Sequence, residues 1–195
     1  MLAIRALATV LALLLVVQPA VSAESTLQIG YLGLSIKHQM PNSFLDPPPD
    51  DEGIQGARLG IADNATTGRF TGQRFELLEK RVSDPEAVAS ALRELSTAGI
   101  RLVVADLPAA QLLEIADLPE AQGMTLFNMR APDDALRNES CRRNVLHLLP
   151  SRAMLADALA QFLAVRRWRN IVLMVGPSEG DKLYAEAIRK AARKF

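Results

Sequence analysis

One cysteine, two histidines and no net charge leave this 195-residue chain with few of the usual chemical tools. Cys141 alone supports no internal disulfide framework and no multi-cysteine metal site. It reads as a small structural residue, because the sequence shows no base to activate its thiol. His38 and His147 are the only histidines that could serve a nucleophilic triad or a metal. His147 sits among Val145, Leu146, Leu148 and Leu149, so it reads as a packed, hydrogen-bonded side chain, and His38 reads as an exposed loop residue. Twenty-two basic residues balance 22 acidic ones, which leaves no basic excess for nucleic acid. No phosphate-binding Gly-x-x-x-x-Gly-Lys motif occurs. Gly30-Tyr31-Leu32-Gly33 has the wrong spacing for a dinucleotide fingerprint, and no Gly-x-Ser-x-Gly elbow is present. These absences argue against an enzyme and imply neither cofactor nor metal.

What is present is the balance of a soluble globular chain, 49% apolar and 23% charged. A disordered chain would be leaner in apolar residues and lopsided in charge. Met1 to Ala23 reads as a secretory signal peptide. Arg5 supplies the basic n-region, Ala6 to Val17 is apolar apart from Thr9, and Val21-Ser22-Ala23 offers small residues for cleavage after Ala23. A membrane anchor is the rival reading, but an apolar core of about 12 residues falls short of the roughly 20 that span a bilayer. The mature chain is therefore expected to be periplasmic, with no stable membrane insertion.

Beyond Glu24 the pattern alternates between strand and helix. Leu27 to Leu34 predicts a buried first strand, followed by a Pro-rich loop over 41–51. Glu52 to Thr67 predicts a helix with Ile54, Ala57, Ile61 and Ala65 inward, closed by Gly68. Gly53, Gly56 and Gly60 are costly in a helix, and close approach to the sheet is the expected compensation. Phe75 to Val82 predicts a second strand, and Asp84-Pro85 a helix start with Val88, Leu92 and Leu95 inward and Gly99 at the end. Leu102 to Ala105, Met124 to Asn128 and Val145 to Leu149 complete the expected strands of this part, with a helix from Pro108 to Ala116. Ser151 predicts the cap of a helix carrying Met154, Leu155, Ala158, Leu159, Phe162 and Leu163 on one stripe. Ile171 to Val175 predicts a sixth strand, and Leu183 to Phe195 an amphipathic helix.

Such alternation implies right-handed βαβ units, a parallel sheet flanked by helices, and ligands bound beyond the carboxyl ends of the strands. The loops at those ends carry Ser35, Asp106, Leu107, Asn128, Arg130, Ser178 and Glu179, the candidate ligand-binding residues. One βα unit after Pro150 cannot close a core by itself. The expected organisation is a signal peptide over 1–23, an α/β lobe over 24–149, and an incomplete second lobe over 150–195, a fragment of a two-lobed protein.

With these residues in place, the chain resembles the type I periplasmic binding proteins, the branched-chain amino-acid class of ABC-importer receptors. The resemblance is carried by Gln28-Ile29-Gly30-Tyr31-Leu32-Gly33, by the run from Gly53 to Asn64, by Ser83-Asp84-Pro85, by Leu102-Val103-Val104 and by Val172-Leu173-Met174-Val175. It is a likeness of spacing over the whole mature chain, with no single diagnostic motif. More narrowly, the Pro-rich loop resembles a subgroup associated with pyrroloquinoline-quinone-dependent alcohol oxidation. The family implies a small organic ligand held between two lobes and an ABC permease complex as partner. The alternative is an exported sensing or accessory protein of an alcohol-oxidation system, without transport. Amino-acid receptors of the class hold the ligand carboxylate with small hydroxyl residues and free backbone N–H groups after strands three and four. This chain has Ala105-Asp106-Leu107-Pro108 and Asn128-Met129-Arg130 there. Pro108 lacks an N–H, and Asp106 would either repel a carboxylate, pair with a cation or hydroxyl, or serve the following helix. The expected ligand is therefore an alcohol, an alcohol-derived acid or a cofactor-related solute and not an ordinary α-amino acid, with Arg130 able to hold an acid if it points inward.

Overall fold

The computed structural model describes residues 25–35 and 51–195. The signal peptide, His38 and nearly all of the Pro-rich loop lie outside these described residues. Five parallel strands form one sheet in the order β2-β1-β3-β4-β5, with β1 at Ser25–Leu34, β2 at Gln73–Val82, β3 at Leu102–Asp106, β4 at Thr125–Asn128 and β5 at Val145–His147. Helix α1 (Ile54–Thr71) connects β1 to β2. Helices α2 (Val88–Thr97) and α3 (Ala109–Ala116) follow β2 and β3. Helices α4 (Arg152–Val165) and α5 (Glu179–Lys194) pack on each other after the sheet.

Strand alternation sorts the two faces. Leu32, Val103, Ala105 and Leu126 bury one face against Leu92, Leu95, Leu112 and Ile115 of α2 and α3, and this is the main core. Tyr31 and Asp106 project to the other face, where α1 lies. Salt bridges follow the same division: Arg58 of α1 binds Glu79 bidentately at 2.7 Å, while the neighbouring Lys80 reaches Glu94 of α2. The cap of the α2 region is as the sequence implies. The Asp84 side chain accepts from the Glu86 N–H at 3.0 Å, Pro85 begins a short 3-10 turn, and Gly99 takes φ 82° beyond the helix end. Ser151 likewise caps α4 through the Met154 N–H at 3.3 Å.

Several expectations are corrected. Helix α1 does not close at Gly68. It runs one turn further and ends on Gly72, whose φ of 67° is the left-handed conformation that favours glycine. Gly56 and Gly60 face open space, so close approach does not explain them; Gly53 and Gly68 are the crowded ones. Cys141 is exposed rather than packed. Ile171 to Val175 forms no strand among the described residues. Val172 and Met174 are 90% and 91% exposed. Its composition suits a buried strand, but a strand exists only with a neighbour to pair its N–H and C=O groups. The α4 stripe is also uncovered, with Met154, Leu155, Leu159 and Phe162 exposed. No helix among the described residues is long and apolar enough to cross a membrane.

Candidate functional site

The strand order places a topological switch at β1. The connection after β1 leads to α1 on one face, and the connection after β3 leads to α3 on the other. The connections leaving the carboxyl ends of β1 and β3 therefore part to opposite faces and leave a crevice beyond the paired strand ends. A cleft of about 320 Å³ lies there. It is lined by Leu34 and Ser35 at the end of β1, Arg81 on β2, Asp106 on β3, Met129 and Arg130 after β4, and Gly53 at the start of α1.

A three-residue polar network forms its base. Arg130 Nε donates to Asp106 Oδ1 at 2.6 Å, and Arg130 Nη2 donates to the Leu34 carbonyl at 2.8 Å. The Tyr31 hydroxyl donates to Asp106 Oδ2 at 2.6 Å. Burial first, and then the hydrogen bond to Asp106, push the Tyr31 phenol well above its ordinary pKa, so it stays protonated and remains a donor. Gly53, at φ 86°, lets the carboxylate lie against the start of α1. A Cβ there would stand 2.6 Å from Oδ2 and 3.0 Å from the Tyr31 hydroxyl.

Asn128 positions Arg130 from below. It is fully buried; its Oδ1 accepts from the N–H groups of Arg130 at 3.2 Å and Ala131 at 2.9 Å, and its Nδ2 donates to the Ala131 carbonyl at 2.8 Å. The same Nδ2 lies 2.9 Å from His147 Nδ1 on β5, which makes Nδ1 the acceptor and the ring neutral. Burial first, and then the positive charge of Arg137, lower the His147 pKa. Below about pH 6.5 the unfolded chain takes up a proton that the folded chain resists. Stability from this group is therefore full above that pH and falls as the pH drops toward the lower folded-state value. His147→Asn, whose amide oxygen can replace the ring acceptor, is expected to lose less melting temperature than the wild type between pH 7.5 and 5.5. Thermal unfolding at both pH values checks it, and an equal loss in the two proteins refutes it.

The structure brings Ser35, Asp106 and Arg130 together in the cleft. Leu107 is not there: it is fully buried in the α2–α3 core, because alternation turns it away from Asp106. Asn128 holds the Arg130 turn from within the core rather than lining the cleft. Asp106 does not serve the following helix, since α3 begins on Pro108 with no side-chain cap. Ser178 and Glu179 lie at the start of α5, where Ser178 and Asp181 form a reciprocal capping box, away from the cleft. Sequence reasoning missed Tyr31 and Arg81. Their alternation was the available signal: Tyr31 lies on the face of β1 that carries Gly33, and Arg81, in register with Gly33, is the last residue of β2 on that same face. No cluster of acidic, histidine or cysteine residues suited to a metal occurs among the described residues.

A doubly wound parallel lobe with a cleft at its switch point defines the class. No family model matches the sequence, and no curated protein matches it. Solved structures do match. The ABC transporter substrate-binding protein from Desulfitobacterium hafniense, also known in complex with Leu, is 17% identical with a TM-score of 0.64, over 87% of this chain and 47% of that one. A branched-chain amino-acid ABC transporter periplasmic ligand-binding protein from Burkholderia xenovorans is 16% identical with a TM-score of 0.65, over 87% and 43%. A solute-binding protein of an ABC transporter from R. palustris, in complex with 4-hydroxybenzoate, is 14% identical with a TM-score of 0.61, over 87% and 44%. The chain has the fold of a lobe of these ABC transporter substrate-binding proteins, and spans less than half of their length.

Proposed function

We propose that the chain is part of a periplasmic solute receptor of an ABC importer, exported by a signal peptide cleaved after Ala23. It holds a small organic ligand between two lobes that close by a hinge. One observation carries the reading: a charged cleft built from Tyr31, Asp106 and Arg130 sits at the switch point of a fold whose solved examples bind solutes. Residues 24–149 are the first lobe and residues 150–195 the beginning of the second. The uncovered apolar surfaces support this division, since Val172, Met174 and the α4 stripe are the surfaces a longer chain would cover. In that arrangement Ser178 and Glu179 belong to the facing wall.

The test is a thermal-shift screen of the complete protein against small organic solutes. A ligand that binds only the folded state raises the melting temperature as ln(1 + [L]/Kd). Substituting Arg130 by Met should abolish the shift of any ligand found. A shift unchanged by that substitution would place the ligand elsewhere and overturn the assignment of this cleft. Co-purification with a permease complex separates import from a sensing or accessory role.

A further inference from the structure

We propose that the cleft selects an uncharged, hydroxyl-bearing organic solute over a carboxylate, an inference that rests on the receptor reading above. Among the described residues that line the cleft, two acidic groups, Asp106 and Glu52, stand with two basic ones, Arg81 and Arg130. Its best place for an anion is filled by the chain itself. An anion is favoured at a helix N-terminus and beside a guanidinium. Asp106 takes the place beside the guanidinium, with Oδ1 on Arg130 Nε, and its Oδ2 lies beside Gly53 at the start of α1.

The arrangement is fixed rather than incidental. The Asp106 and Arg130 side chains are only 12% and 20% exposed, and Tyr31 and the Leu34 carbonyl hold them from the other sides. Gly53 has no side chain, which is what makes room for Oδ2. A carboxylate directed at Arg130 therefore meets a like charge in a part-buried setting where screening is weak. A hydroxyl meets no such penalty. It can accept from a remaining guanidinium N–H of Arg130 and donate to a remaining lone pair of Asp106, because a carboxylate offers about four acceptor sites. Leu34 and Met129 supply apolar wall for the body of the molecule, and Ser35 a further hydroxyl.

Calorimetry on the complete protein with matched pairs tests this: 4-methyl-1-pentanol against 4-methylpentanoate, and 4-hydroxybenzyl alcohol against 4-hydroxybenzoate. The alcohol of a binding pair is expected to bind at least about tenfold more tightly than its acid. Asp106→Asn keeps an acceptor for Arg130 but removes the charge, and should move the preference toward the acid by about tenfold. An acid that binds the wild type as tightly as its alcohol overturns the proposal, whether or not the variant folds. If none of the four binds, the charge of whatever solute the thermal-shift screen finds decides: a neutral hydroxylated ligand upholds the proposal and an anion overturns it. A screen that finds no ligand at all overturns the receptor reading, and this inference falls with it.

Discussion

Asp106→Ala is expected to destabilise the protein by about 3 kcal/mol, mostly because it strands Arg130. Removing one partner of a fully buried pair costs about 3–5 kcal/mol, and the slight exposure of this pair places the effect at the lower end. The substitution also takes the acceptor from the Tyr31 hydroxyl, which lies in the buried base of the cleft. For a chain of this size the melting temperature should fall by roughly 6–12 °C. Tyr31→Phe removes only one hydrogen bond and is expected to cost about 1 kcal/mol. The double substitution Asp106→Ala with Arg130→Met should recover part of the loss, because no unpaired charge is left behind. Denaturant unfolding of the four proteins checks the order. A cost below about 0.5 kcal/mol for Asp106→Ala would mean that the pair behaves as a solvated surface bridge and does not organise the cleft.

Much of the fold was legible because its signals are local. Asp84 with Pro85, Ser151, and the stripe Val88, Leu92 and Leu95 each state their role within four residues of chain, and the structure agrees. The inward face of α1, with Ile54 fully buried and Ala57, Ile61 and Ala65 partly so, was equally readable from its spacing. Ile171 to Val175 failed for a non-local reason. Its apolar run is what a central strand requires, but a ladder needs a second strand, and composition cannot say whether one lies alongside.

The candidate site was half legible by the same measure. The rule that ligands lie beyond the strand ends selected Ser35, Asp106 and Arg130 correctly as neighbours. It also selected Leu107, which the period-2 alternation after Asp106 turns into the core. Tyr31 was hidden because it reads as one more apolar residue of a buried strand. Its hydroxyl matters only once β3 lies beside β1 and brings Asp106 within 2.6 Å, across 75 residues of sequence.

Gly68→Ala is the second large effect, and it separates crowding from helix propensity. Gly68 is the fifteenth residue of α1, where alanine is ordinarily better than glycine by about 1 kcal/mol. Propensity alone therefore predicts stabilisation. The tertiary structure predicts the opposite, because Gly72 turns the chain so sharply that β2 passes over the end of α1. A Cβ on residue 68 would lie 2.2 Å from the Gln73 carbonyl oxygen and 3.2 Å from the Phe75 ring. The first of these neighbours is backbone at the start of β2, paired in register with Ser25, so it cannot move without disturbing the β1–β2 ladder. Overpacking of this kind outweighs the propensity gain, and a net loss of about 2–3 kcal/mol is expected. Gly56 and Gly60 provide the control on the same helix. They face open space, so alanine at each should stabilise by about 0.5–1 kcal/mol. Urea unfolding of the three single variants reads the contrast directly. If Gly68→Ala is as stabilising as Gly60→Ala, the tight passage of β2 over α1 is wrong. The register that brings Arg81 to the rim of the cleft would then have to be redrawn.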